Sequence, residues 1–332
     1  MFPLQQNSVF SLSEAEGARI LSFLHEHAFY PFGSDEHFEH FVDNAFLIAS
    51  VLPSRIIQAL ARFRRNGHED GVLIIRGFPI DDTQIGPTPS HWSLTAQIKQ
   101  SSVTEMYLIG LASLLGEVFS FRSQHEGNLI QNVVPIASDS CEQVGTGSQV
   151  FLEWHSEDAF HPLRADYIGL LCLRSDSSAA TAFSSLRQTN LPERYKRVLF
   201  EERFQAGIDK AHGGSGRAED GPVIAILSGR YDDPALRIDT SCIRALPGDQ
   251  EAAEALDYFK RAMTSAGRQF MLAAGDLVFM DNLYLVHGRT AFQPRFDGKD
   301  RWLQRVSIAA DLRKSYPYRT HNFRVIETTL AL

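Results

Sequence analysis

The chain has 332 residues, 44% hydrophobic and 22% charged, with 23 glycines and 14 prolines. That composition excludes collagen-like, coiled-coil and largely disordered chains and allows one large domain or two modest ones. The 32 Lys and Arg against 40 Asp and Glu give a net charge of −8, which argues against nucleic acid or an anionic membrane surface and for a small-molecule partner.

Cys141, Cys172 and Cys242 are widely spaced and form no CxxC pair, which speaks against a disulfide framework and against a thiolate zinc site. The first residues lack the charged and apolar blocks of a signal peptide, and no run of about eighteen apolar residues offers a membrane span. A cytoplasmic protein is the expectation.

In chain order, Ser13 to Phe29 carries apolar residues at helical spacing with Ser13 as N-cap, and Ser54 to Arg65 does the same through Ile56, Ile57, Leu60, Ala61 and Phe63. Leu73-Ile74-Ile75 between two glycines reads as a buried strand. Residues 81–102 read as a long loop and Val103 to Phe119 as a helix. Beyond Phe121 come short β-prone runs: Leu129 to Val134, Val150 to Trp154, Tyr167 to Leu173, Val223 to Leu227, Leu277 to Met280 and Trp302 to Ile308. Helices are expected at Leu191 to Phe204 and Gln250 to Ala266, and a mobile surface loop at His212 to Gly221. With no repeat and no linker, the expectation is one domain over residues 1–332. A helical N-terminal layer (1–120) would cover a β-sandwich or barrel (121–332).

The strongest local signal is Trp154-His155-Ser156-Glu157-Asp158. In an extended segment positions i and i+2 share a face, so His155 and Glu157 can present an imidazole and a carboxylate to one point. His287, in the stretch Asn282 to Arg289 that follows a strand-like run opened by Gly275-Asp276, is the candidate third ligand. Two histidines and one carboxylate leave coordination positions open, the arrangement of non-haem Fe(II) oxygenases. The spelling alone is cheap: His37-Phe38-Glu39 shares it, in a polar stretch that reads as a solvated helix face. Asp158 and His161, beside the motif, are expected in local hydrogen bonds or a lid contact.

Downstream, Arg301, Leu303 and Arg305 fall on one face of a strand, with Trp302, Gln304, Val306 and Ile308 on the other. Two guanidinium groups on one face of a core strand call for anions, and carboxylates suit their planar fork. Surface arginines on an edge strand are the plain alternative.

H-x-E, then His, then an arginine 14 residues later resembles the Fe(II)/2-oxoglutarate-dependent dioxygenases of the clavaminate synthase-like family, related more distantly to taurine dioxygenase. The strings from Leu152 to Pro162 and from Tyr167 to Arg174 are similar to the subgroup that hydroxylates free arginine, lysine or asparagine. The resemblance runs from about Phe10 to the C-terminus and implies a double-stranded β-helix, or jelly roll, mostly β with flanking helices. It implies iron ligation by His155, Glu157 and His287. It also implies 2-oxoglutarate as co-substrate, held at its distal carboxylate by Arg301 and Thr181.

Arg305 would take the α-carboxylate of the amino acid, and Gln124 with Glu157 its α-amine. In Leu236 to Ser241, Asp239 stands where the arginine enzymes place an acid, while a second acidic place holds Ser241. That departure weakens arginine and suits lysine or a neutral side chain such as citrulline, unless Asp239 only fixes a turn. The expected reaction takes O2 and 2-oxoglutarate to succinate and CO2 and hydroxylates Cβ or Cγ. The rivals are a taurine-type dioxygenase, a desaturase or ring-forming oxygenase, and a non-catalytic jelly-roll binding protein.

Overall fold

The computed structural model describes residues 8–28, 35–67, 70–319 and 324–327. The Ser13 hydroxyl accepts from the Glu16 amide while Glu16 returns a bond to Ser13, closing a capping box on α1 (Glu14–His27). Phe29, the last residue expected in that helix, lies outside the described residues. α2 (Asp35–Phe46) and α3 (Ser54–Asn66) follow. His37 is exposed on α2, whereas Glu39 pairs with Arg324, so the decoy H-x-E is partly a structural ion pair. Where a loop is expected at 81–102, two one-turn helices form, α4 (Asp82–Ile85) and α5 (Thr95–Ile98).

The helix expected over 103–119 is shorter. α6 (Val103–Ala112) stops before Gly116, where any side chain would collide with the Ala309 carbonyl, and the chain turns into a strand at Glu117. Close backbone approach decides this boundary, which apolar periodicity does not register. α7 (Glu193–Leu199) is likewise shorter than expected, and α8 (Gln250–Ala266) has the expected bounds. No single helix among the described residues is long and apolar enough to cross a membrane.

The strands begin with β1 (Val9–Ser11), β2 (Val72–Arg76), β3 (Glu117–Phe121) and β4 (Gln131–Val133). β5 (Leu152–His155), β6 (Tyr167–Arg174) and β7 (Thr181–Ser185) follow, then the short β8 (Phe204–Ala206), β9 (Val223–Ile224), β10 (Leu227–Gly229), β11 (Pro234–Leu236) and β12 (Ile243–Ala245). The run Val223 to Leu227, expected as one strand, thus splits between two small sheets. The chain closes with β13 (Arg268–Phe270), β14 (Leu277–Asp281), β15 (Leu285–Arg289), β16 (Trp302–Ala309) and β17 (Val325–Ile326).

Eight strands form one sheet in the order β1-β2-β14-β6-β16-β3-β17, with β4 also paired to β16, and four form a second in the order β13-β7-β15-β5. The larger sheet is buried on both faces, so its strands read as near-continuous apolar runs. Leu73, Ile75, Leu171, Phe279, Trp302 and Val306 pack with the N-terminal helices. Their neighbours Val72, Ile74, Leu170, Cys172, Met280 and Leu303 pack with Phe183, Phe270 and Leu285 of the smaller sheet. α7 and α8 cover the smaller sheet's far face through Leu199, Phe259 and Met263. The alternation proposed for residues 301–308 is therefore observed, with Leu303 on the inter-sheet side and Trp302, Val306 and Ile308 on the helix side.

Candidate functional site

β5 and β15 pair antiparallel with His155 directly opposite His287, their ring centroids 4.2 Å apart. Gly288 makes this approach possible, because a β-carbon there would strike the Leu152 carbonyl. His155 donates through Nδ1 to the Glu153 carbonyl at 2.8 Å, which leaves Nε2 as its free ring nitrogen. Glu157 lies just past the end of β5. Its amide donates to Asn282 Oδ1 at 2.7 Å, and Asn282 Nδ2 donates to the carbonyls of Glu157 (3.1 Å) and Ala165 (2.8 Å). One buried amide thus fixes the backbone of the carboxylate. Ligand atoms of His155, Glu157 and His287 lie within 4.8 Å of one another. Glu157 Oε2 is buried without a hydrogen-bond partner and lies 3.6 Å from His287 Nε2.

The electrostatics favour ligand-competent protonation states. Burial works to raise the Glu157 carboxyl, but the Arg305 guanidinium and the two imidazoles together hold it well below the usual carboxylate range. Burial, then the neighbouring His155, pushes His287 down to about 4, so its imidazole is neutral at physiological pH. This donor set, two imidazoles and one ionised carboxylate, fits a divalent first-row metal with open positions.

Arg305 is engaged within the protein, with Glu157 and with the Gln131 side chain. Gln131 donates in turn to Gln124 Oε1 at 2.8 Å. Gln124 is only 1% exposed and stands behind the cavity wall, which is formed there by Ser123, His125 and Glu126. His125 and Glu126 adopt left-handed backbone, φ 47° and 58°, in a turn closed by Gly127. Burial, then Arg305, pushes His125 down to about 3, so it faces the cavity as neutral imidazole.

The triad sits in a cavity of about 610 Å³ with two charge poles. At one, Arg301 is 7% exposed and forms no ion pair or hydrogen bond among the described residues, and the Thr181 hydroxyl is buried and unpartnered. Arg289 shares this pole, and burial, then Arg301, pushes it down to about 9. Two buried guanidinium groups that repel each other form a seat for a carboxylate.

At the other pole, burial, then Asp239, pushes Asp209 up to about 6. A carboxyl held up by burial beside a second carboxylate defines a seat for a cation. Asp239 also fixes a turn, its Oδ1 accepting from the Ser241 amide (2.8 Å) and hydroxyl (2.6 Å). The turn and cavity readings of Asp239 hold together.

Of the residues expected at the site, His155, Glu157, His287, Arg301, Thr181, Asp239 and Arg305 line this one cavity, and Gln124 lies one layer behind. Sequence reasoning missed Arg289, although it stands two residues from His287 and so shares its face of β15. Asn282 and Asp209 carry no local signature, because their partners lie far away in sequence, and Gln131 owes its place to Arg305, 174 residues on.

The fold and the paired histidines with one carboxylate are those of a non-haem iron oxygenase. The family model for taurine catabolism dioxygenases (TauD, TfdA family) matches residues 51–307, and the chain belongs to that family. It is 36% identical over 295 residues to the enduracididine β-hydroxylase of Streptomyces hygroscopicus, covering 81% of this chain and 85% of that one. It is 29% identical over 296 residues to the L-ornithine/L-arginine 3-hydroxylase of Catenulispora acidiphila, covering 82% and 86%. Among solved structures it is similar to the non-haem iron oxygenase OrfP in complex with Fe, succinate and (3S)-hydroxy-L-Arg. That match has a TM-score of 0.87, 32% identity, and covers 96% of this chain and 99% of that one.

Proposed function

We propose that this iron- and 2-oxoglutarate-dependent oxygenase hydroxylates a free L-amino acid with a cationic side chain, of the lysine or arginine type, at Cβ or Cγ. The observation that carries the reading is the pair of opposite charge poles flanking the triad. The arginine pole suits a dicarboxylate co-substrate, and the aspartate pole suits a cationic side chain. A taurine-type substrate would leave Asp209 and Asp239 without a cationic partner.

In this reading His155, Glu157 and His287 hold iron(II). Arg301 anchors the distal carboxylate of 2-oxoglutarate, and the unpartnered Thr181 hydroxyl donates to it. When bound, iron(II) supplies the activation of O2 that couples decarboxylation of 2-oxoglutarate, to succinate and CO2, with hydroxylation of a C–H bond. The protein selects the carbon. Arg305 holds the α-carboxylate, Glu157 the α-amine, with Gln124 backing that wall from one layer behind, and Asp209 with Asp239 the far end. The two facing sheets support a double-stranded β-helix acting as one catalytic domain. Three free thiols are in keeping with a cytoplasmic setting.

The test is a panel of free L-amino acids incubated with enzyme, Fe(II), ascorbate and 2-oxoglutarate, read by mass spectrometry for hydroxylated product and succinate. L-Arginine, L-ornithine or L-lysine should be turned over best. Turnover confined to a sulfonate or to a neutral amino acid refutes the assignment. Asp239→Ala should raise KM for the cationic substrate selectively, and an unchanged KM removes Asp239 from the pocket.

A further inference from the structure

His212 opens the glycine-rich segment read from sequence as a surface loop, yet its side chain is fully buried. Its ring lies between the edges of Phe121 and Phe160, each 5.1 Å away. Nε2 lies 2.7 Å from Asp158 Oδ1, and since a carboxylate only accepts, the imidazole donates there. Nδ1 lies 2.8 Å from the Ser123 hydroxyl. Asp158 directly follows Glu157 and is held in left-handed backbone, φ 52°. Its Oδ1 also accepts from Gln124 at 3.5 Å. Burial works against charge on His212, but Asp158 and Asp209 hold its pKa raised.

The segment that carries His212 also carries Asp209. Asp209 caps the turn through Ala211, which donates to Oδ1 at 2.9 Å, and the His212 and Gly214 amides donate to its carbonyl. A rigid turn therefore links Asp209 to the His212 ring. Three stretches that form or back the cavity wall converge on one imidazole: Ser123, Asp158 directly after Glu157, and the Asp209 turn.

We propose that His212 is a positioning residue that sets the spacing between the two ends of the amino-acid site, tying Asp209 at the cation-binding end to Ser123 and Asp158 at the α-amine end. It touches no reacting atom and acts through Asp209. The substrate it serves rests on the functional reading above, whereas the tether itself does not. Loss of the ring frees the Asp209 turn and leaves the arginine pole and the iron ligands in place.

The test uses full-length enzyme carrying Fe(II) and 2-oxoglutarate under anaerobic conditions, comparing wild type with His212→Ala and His212→Asn, whose amide can still donate to Asp158. Hydrogen exchange over residues 209–214 should accelerate at least tenfold in His212→Ala, with residues 152–157 and 302–309 unchanged. Affinity for L-arginine or L-lysine should fall at least tenfold while 2-oxoglutarate affinity stays within twofold, and His212→Asn should recover part of both losses.

Unchanged exchange at 209–214 overturns the proposal. So does acceleration spread equally across all three segments, or an equal loss of 2-oxoglutarate affinity, since each marks a merely structural histidine. If wild type binds neither amino acid, the substrate assignment fails and the exchange comparison alone decides the tether.

Discussion

Replacing Arg301 by methionine should move stability and co-substrate affinity in opposite directions. The guanidinium is buried with no ion pair or hydrogen bond among the described residues, and burial lowers its pKa against the smaller electrostatic help of Cys172 and Asp176. An uncompensated buried charge opposes folding, so without 2-oxoglutarate the methionine variant should be more stable by about 1–3 kcal/mol. That gain appears as a melting temperature higher by a few degrees. With 2-oxoglutarate the sign reverses. A charge-assisted pair to a carboxylate is worth about 3 kcal/mol, so the KM for 2-oxoglutarate should rise roughly 100-fold at about 1.4 kcal/mol per decade. Calorimetric melts with and without 2-oxoglutarate, together with titration of the co-substrate, read both quantities. A variant that melts lower without 2-oxoglutarate yet keeps its KM would show Arg301 to be structural and refute the reasoning.

Asn282→Ala removes three hydrogen bonds, two to the Glu157 backbone and one to the Ala165 carbonyl. It should cost about 2–4 kcal/mol of stability and weaken Fe(II) binding roughly 10- to 100-fold by titration. Gly288→Ala pushes β5 away from β15 at the Leu152 carbonyl; Fe(II) affinity should drop well before 2-oxoglutarate contacts are affected, and equal losses would argue against a local effect. Burial pushes Asp281 up to about 7, so the folded state holds a proton that the unfolded chain releases near pH 4. Its stabilisation is present below that pH and is lost as pH rises through about 7. Asp281→Asn should flatten the fall in stability between pH 4 and 8 in denaturant melts, and an unchanged slope would exclude Asp281 as its source.

The metal triad and the arginine strand were legible because their signal is local: two residues apart for His155 and Glu157, and strict alternation for 301–308. Arg289, two residues beyond His287, was equally available by that rule and was missed. What the sequence could not offer were facts about distance in space. Nothing near Asp209 in the chain announces Asp239, 30 residues on, and nothing near Asn282 announces Glu157, 125 residues away; only the folded chain brings each pair together. The boundary at Ala112 failed for the same reason, since Gly116 is shaped by Ala309. Gln124 shows the converse, a residue placed by resemblance whose side chain proves to bond Gln131 behind the wall.

The His155, Glu157 and His287 side chains hang from the smaller sheet and its adjoining turn, while Arg301, just before β16, and Arg305 within it hang from the larger one. The triad and the two arginines thus sit on opposite jaws, and the gap between the sheets is filled by side chains such as Phe183, Phe270 and Met280 that do not line the cavity. Those residues act as shims. Because protein interiors are close-packed, thickening or thinning one of them by a methyl group re-aims the bound amino acid against the metal. Shifts in which carbon is hydroxylated are therefore as accessible to selection in the hydrophobic interior as at the polar contacts of the pocket.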